Sequence, residues 1–75
     1  MSMTPEQCRM ARAGLRLSQA ELARRARVSP ATLTEFEKGT RSPYERTIRD
    51  IQKALENAGA IFTQQGVDLK KVNND

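Results

Sequence analysis

Seventy-five residues make one small domain with no room for a second, and 37% hydrophobic with 4% aromatic content keeps its core small. No His and a single Cys exclude a zinc finger, an internal disulfide framework, and His-based acid–base or nucleophilic catalysis. Thirteen Lys+Arg against nine Asp+Glu leave a charge of +4, which suits a polyanionic partner.

Thr4-Pro5-Glu6-Gln7 reads as a helix start. Thr4 caps, Pro5 takes the first helical position, and Gln7 completes a capping box. Cys8, Ala11 and Leu15 follow at helical spacing, and Gly14 offers a stop, so the first helix is placed over residues 5–13. Cys8 on the apolar side is expected as a small core residue. Ser18-Gln19-Ala20-Glu21 repeats the box, with Ser18 as cap and Glu21 at the third position. The second helix runs over 19–26, with Ala20, Leu22, Ala23 and Ala26 as its apolar surface. At barely two turns it must be held by packing.

Ser29-Pro30 is a third cap-plus-proline start, and the third helix runs over 30–38 to Gly39. Leu33 and Phe36 are its large apolar residues, three apart on one face. The other face carries Ala31, Thr32, Thr34, Glu35 and Lys38, whose mostly short side chains let the helix approach something closely. Thr40-Arg41-Ser42-Pro43 is a loop by composition. Tyr44, Ile48, Ile51, Leu55 and Ala58 then recur at helical spacing, giving a fourth helix over 44–58 whose apolar stripe, Tyr44 included, is expected in the core or an interface. Ala60-Ile61-Phe62-Thr63 is β-prone, Gln64-Gln65-Gly66 is turn-like and Val67-Asp68-Leu69 alternates, so a short strand or hairpin follows; residues 70–75 are polar and expected to fray.

The charge is uneven. Arg9, Arg12, Arg16, Arg24, Arg25 and Arg27 fall within residues 9–27 with Glu21 as the only acid, and Arg outnumbers Lys nine to four. The guanidinium fork suits phosphates and guanine edges. Two short helices joined by a tight turn, the second with one apolar and one short polar face, make a helix-turn-helix. In such a unit the second helix enters the major groove, and the first lies across the backbone.

The stretch Leu17-Ser18-Gln19-Ala20-Glu21-Leu22-Ala23 through Val28-Ser29, then Leu33 and Phe36-Glu37-Lys38-Gly39, resembles the phage repressor/Cro-type (XRE) DNA-binding family over residues 5–58. The resemblance implies an all-α, compact four-helix, lambda-repressor-like domain over 1–59, here followed by a short β tail over 60–75. It implies that Gln19 reaches a phosphate and braces the reading helix, that Ser29 caps that helix, and that Pro30, Ala31, Thr32, Thr34 and Glu35 face base edges. Lys38, Thr40 and Arg41 match the loop along the next phosphates, and Arg24 and Arg27 join the phosphate-facing set. Arg12 and Glu37 match a partly buried ion pair.

The chain departs from that family in two ways. Arg27 stands where the turn commonly has Gly, so a left-handed backbone there costs about 1 kcal/mol. Pro30 and Ala31 replace the usual Arg, Gln or Asn, which leaves thymine-methyl contacts, acceptance from a cytosine amine by Glu35, and DNA shape.

Phe62, Val67 and Leu69 are too apolar for a free end. They fold back on the fourth helix, or the strand pairs with its twin; a homodimer through Ile61, Phe62, Val67 and Leu69 is expected, with paired half-sites. The resulting expectation is a cytoplasmic, prokaryotic, double-stranded-DNA-binding transcription regulator, a dimeric repressor on a palindromic operator. No cofactor, metal, membrane span or signal peptide is expected. The rivals are a protein-interaction module or a DNA-binding antitoxin whose main partner is another protein, and an RNA binder, for which three aromatics make a poor stacking platform. An enzyme is not expected, since no carboxylate pair, nucleophile–base set or phosphate loop is present.

Overall fold

A computed structural model describes residues 2–70. Four helices run in chain order, α1 (Pro5–Gly14), α2 (Gln19–Ala26), α3 (Pro30–Lys38) and α4 (Glu45–Asn57), followed by β1 (Ala60–Phe62) and β2 (Val67–Leu69). None of these helices is long and apolar enough to cross a membrane.

Local chemistry starts three of the helices. Thr4 Oγ1 accepts from Gln7 N at 3.1 Å while Gln7 Oε1 accepts from Thr4 N at 2.9 Å, which is the complete capping box. Ser18 and Ser29 cap α2 and α3 by accepting from the amides three residues on. The box at α2 is only half formed. Glu21 directs its carboxylate instead to Arg24 (2.5 Å) and Arg25 (3.0 Å), one turn further along the helix. The fourth start, at Tyr44, makes no side-chain cap bond.

The core gathers Met3, Cys8, Ala11, Leu22, Ala23, Leu33, Phe36, Ile48, Ile51 and Leu55 from all four helices and the N-terminal segment. Ala20 turns outward, so the apolar side of α2 is Leu22, Ala23 and Ala26. Tyr44 is not part of the α4 stripe either. It stands before the first turn and is 87% exposed, because the stripe reaches the core only from Ile48 onward.

Two helix ends carry left-handed residues that are not glycine. Arg27 adopts φ 60°, ψ 42° at the end of α2, as its replacement of the usual Gly predicted. The end of α1 differs from expectation. Gly14 is its last residue, Leu15 follows in right-handed geometry, and the left-handed position falls on Arg16 at φ 58°. Gly14 serves packing rather than the stop. A Cβ there would come within 3.0 Å of Leu69 Cδ1.

β1 and β2 pair antiparallel within the chain, Ala60 opposite Leu69, Ile61 opposite Asp68 and Phe62 opposite Val67. Alternation sends Ala60 and Phe62 inward and leaves Ile61 exposed. Phe62 and Val67 pack on the same core as the helices. The buried Gln7 fastens the hairpin loop, donating from Nε2 to the carbonyls of Thr63 (2.8 Å) and Gly66 (3.1 Å). Of the two arrangements open for the tail, the fold-back onto its own chain is present, and it lies mainly against α1 and α4. Residues 71–75, most of the stretch expected to fray, lie outside the described residues.

Candidate nucleic-acid interface

Helix α3 divides cleanly around its axis. Leu33, Phe36 and Glu37 are buried, and Pro30 and Ala31 are exposed. Thr32, Thr34 and Glu35 are half-buried between these flanks. Pro30 and Ala31 thus present bare carbon at the N-terminal end of the helix, as a surface that docks by contact would.

The buried flank is organised by one carboxylate. Glu37, only 2% exposed, accepts from Arg12 Nε (2.9 Å) and Arg12 Nη2 (3.0 Å) in a fork. It also accepts from Gln19 Nε2 (2.9 Å) and Cys8 Sγ (3.2 Å). Arg12 Nη1 donates further to the Leu17 carbonyl at 3.1 Å, and Arg9 donates to the backbone carbonyl of Glu37. α1, α2 and α3 therefore meet at one ionised group. Burial pushes the Glu37 carboxyl upward, but the bonds from Arg12, Gln19 and Cys8 outweigh it and hold the group below the usual carboxylate range. The same environment pushes the Cys8 thiol well up, by burial first and then by its bond to Glu37, so it stays protonated as a donor. Among the described residues, no fully buried side-chain nitrogen or oxygen lacks a partner.

The network reaches the surface through Gln19. One amide hydrogen goes to Glu37, while its Oε1 accepts from Thr34 Oγ1 at 3.2 Å. Among the described residues the Gln19 Nε2 group donates to Glu37 alone, at the start of α2. Thr34 thereby turns its hydroxyl inward. Thr32 Oγ1 lies 2.8 Å from Ser29 Oγ, so the cap residue and the outer side of α3 are tied together. Glu35 Oε1 lies 3.9 Å from Arg41 Nη1, which offsets its negative charge.

Beyond Gly39, left-handed at φ 74°, the loop folds back on α3. Thr40 N and Oγ1 both donate to the Glu35 carbonyl, at 3.2 and 3.3 Å. Lys38, Thr40 and Arg41 are exposed along one rim. Between α3 and the start of α4 lies a cleft of about 480 Å³, lined by Thr32, Glu35, Arg41, Ser42, Tyr44 and Thr47. Arg24 is exposed beside Glu21. Arg27 lies at the groove between α2 and α4 with Arg25, Asp50 and Lys53.

The structure thus brings Gln19, Ser29, Thr32, Thr34, Glu35, Thr40 and Arg41 into one connected surface, with Arg12 and Glu37 beneath it. The tail residues diverge. Ile61 points outward, Phe62 and Val67 turn into the chain's own core, and Leu69 lies on Gly14. Sequence reasoning missed two residues. The role of Gln7 in holding the hairpin has no local signal, whereas the missing Ser or Thr cap at Tyr44 did mark that position as unusual. Among the described residues, no group of three His, Cys, Asp or Glu could hold a metal.

Compared with known families, residues 9–57 match a model described as helix-turn-helix. No curated protein matches the chain.

Proposed function

Because this chain belongs to the XRE-type helix-turn-helix family, whose members are DNA-binding transcription regulators in kind, we propose that it is a sequence-specific repressor acting in the cytoplasm of a prokaryotic cell, as a homodimer on a palindromic operator. The observation that carries the reading is the division of α3. Leu33, Phe36 and Glu37 anchor one flank, while Pro30, Ala31, Thr32, Thr34 and Glu35 offer the other to base edges in the major groove. Phosphates are met by the free amide hydrogen of Gln19, the cap residue Ser29, the guanidinium groups of Arg24 and Arg27, and the rim Lys38–Thr40–Arg41.

Direct readout is modest, since Thr34 and Thr32 hold their hydroxyls against Gln19 and Ser29. Methyl contacts and DNA shape supply the remainder. The dimer reading is supported by the exposure of Ile61 and Leu69 and by the outer edges of a two-stranded hairpin. Phe62 and Val67 then act by shaping that surface from beneath.

Selection of bound duplexes from a randomised pool, followed by a salt series on the enriched site, tests this reading. The expected result is one enriched, two-fold symmetric sequence and a steep loss of affinity with salt. Arg41→Ala weakens binding to every duplex and lowers the salt slope by about one, whereas Thr34→Ala, which removes the methyl, changes the preferred sequence. Absence of any enriched duplex sinks the proposal and favours a protein-interaction module.

A further inference from the structure

Tyr44 is the one aromatic residue that does not serve the fold. Of the three aromatics, Phe36 is buried, Phe62 is half-buried against the core, and Tyr44 is 87% exposed. Its backbone position makes the choice stranger. Tyr44 is the N-cap of α4, where Ser, Thr, Asp or Asn would satisfy a free amide, and its side chain makes no such bond. The other three helices all use Thr or Ser at this position. Stability therefore does not explain a tyrosine here.

Location supplies a reason. Tyr44 lines the same cleft as Thr32 and Glu35 of α3 and Arg41 of the connecting loop. Anything that touches the exposed flank of α3 passes within a cleft's width of the phenol. A phenol is an amphipathic surface with an apolar face and a hydroxyl that donates at its edge. Deoxyribose next to phosphate is the matching ligand, apolar at the sugar carbons and a strong acceptor at the phosphate oxygens.

We propose that Tyr44 is a DNA-contacting residue that packs its ring on a backbone sugar beside the cleft and donates its hydroxyl to the adjoining phosphate. The inference rests on the DNA-binding reading above and adds to it a contact that carries no charge. It fixes the register of the duplex against α3, because an aromatic wall tolerates less displacement than a flexible Lys or Arg.

The test compares wild type, Tyr44→Phe and Tyr44→Ser on the enriched duplex, with affinity, salt slope and melting temperature measured for each. Ser restores the missing cap, so Tyr44→Ser melts at or above the wild-type temperature, which excludes misfolding as the cause of any loss. Its affinity falls by about fivefold or more, and Tyr44→Phe falls by about twofold to threefold, with ring retained and hydroxyl lost. Neither substitution changes the salt slope, in contrast to Arg41→Ala. If Tyr44→Ser binds the duplex as tightly as wild type, the inference is overturned, and the ring belongs to a protein partner. If wild type itself enriches no duplex, the functional reading fails, and this contact fails with it.

Discussion

The two regions that adjoin the C-terminal end of α3 are built on opposite principles. Beneath it, Glu37 receives four side-chain hydrogen bonds from Cys8, Arg12 and Gln19 and has 2% of its surface exposed. Beyond it, the segment from Gly39 to Tyr44 touches α3 mainly through Thr40 and a 3.9 Å approach of Arg41 to Glu35, and ends in a helix start without a side-chain cap. The first region is over-determined and holds α3 at a set angle to α1 and α2. The second leaves the Tyr44 ring exposed and its helix start without a side-chain cap. In a domain this small, a rigid network and an open segment adjoin at one end of a single helix.

The sharpest way to break that contrast is Glu37→Ala. It strands Arg12 near the core and leaves Gln19 and Cys8 without an acceptor, at a cost of about 3–5 kcal/mol. That is comparable to the whole stability of a small domain, so melting should fall by tens of degrees. A calorimetric melting point within a few degrees of wild type would show that the buried region is not the organising one.

A milder probe is acid. The folded-state pKa of Glu37 lies below its ordinary value of 4.5, so its stabilisation is fully present above about pH 4.5 and is lost as pH falls through the depressed value. Denaturant midpoints should hold steady from pH 7 to about pH 5 and then decline. In Glu37→Gln that decline should be shallower, and an identical acid profile would remove Glu37 as its source.

Arg27→Gly has the smallest expected effect, and its sign sharpens the comparison. The left-handed backbone at φ 60° costs an arginine about 1 kcal/mol, partly offset by the extra freedom glycine brings to the unfolded chain. The variant should melt a few degrees higher while binding DNA more weakly. A gain in stability with unchanged affinity would mean that Arg27 is merely tolerated at the turn.

Much of this was legible because it is local. Thr4, Ser18 and Ser29 cap the helices they precede because a side-chain oxygen needs only the amide three residues on. The strain at Arg27 was implied by the family resemblance, whose turn commonly has Gly where this chain has Arg27. Arg12 with Glu37 was implied by family resemblance alone, since no spacing along the chain relates residues 25 apart. Other features lay beyond local reading. Nothing near Gln7 announces that it will hold carbonyls 56 and 59 residues away. Gly14 looked like a helix stop because that is a common use of glycine, yet Leu69 needs the space its missing side chain leaves. Tyr44 matched the α4 period by spacing, but the period does not say where a helix meets the core.

By itself the amino-acid sequence determined the three capped helix starts, the apolar flank of α3 and the family, because caps and periodicity act over three or four residues and the family motif is a run of such local signals. Only the tertiary structure decided that Glu37 would collect donors from α1 and α2, that the tail would close as a hairpin on its own core, and that Tyr44 would stand beside the reading helix in solvent. Those outcomes depend on which surfaces meet once the helices have formed, and pairings across the whole chain are settled by burial and hydrogen-bond satisfaction rather than by neighbours in sequence.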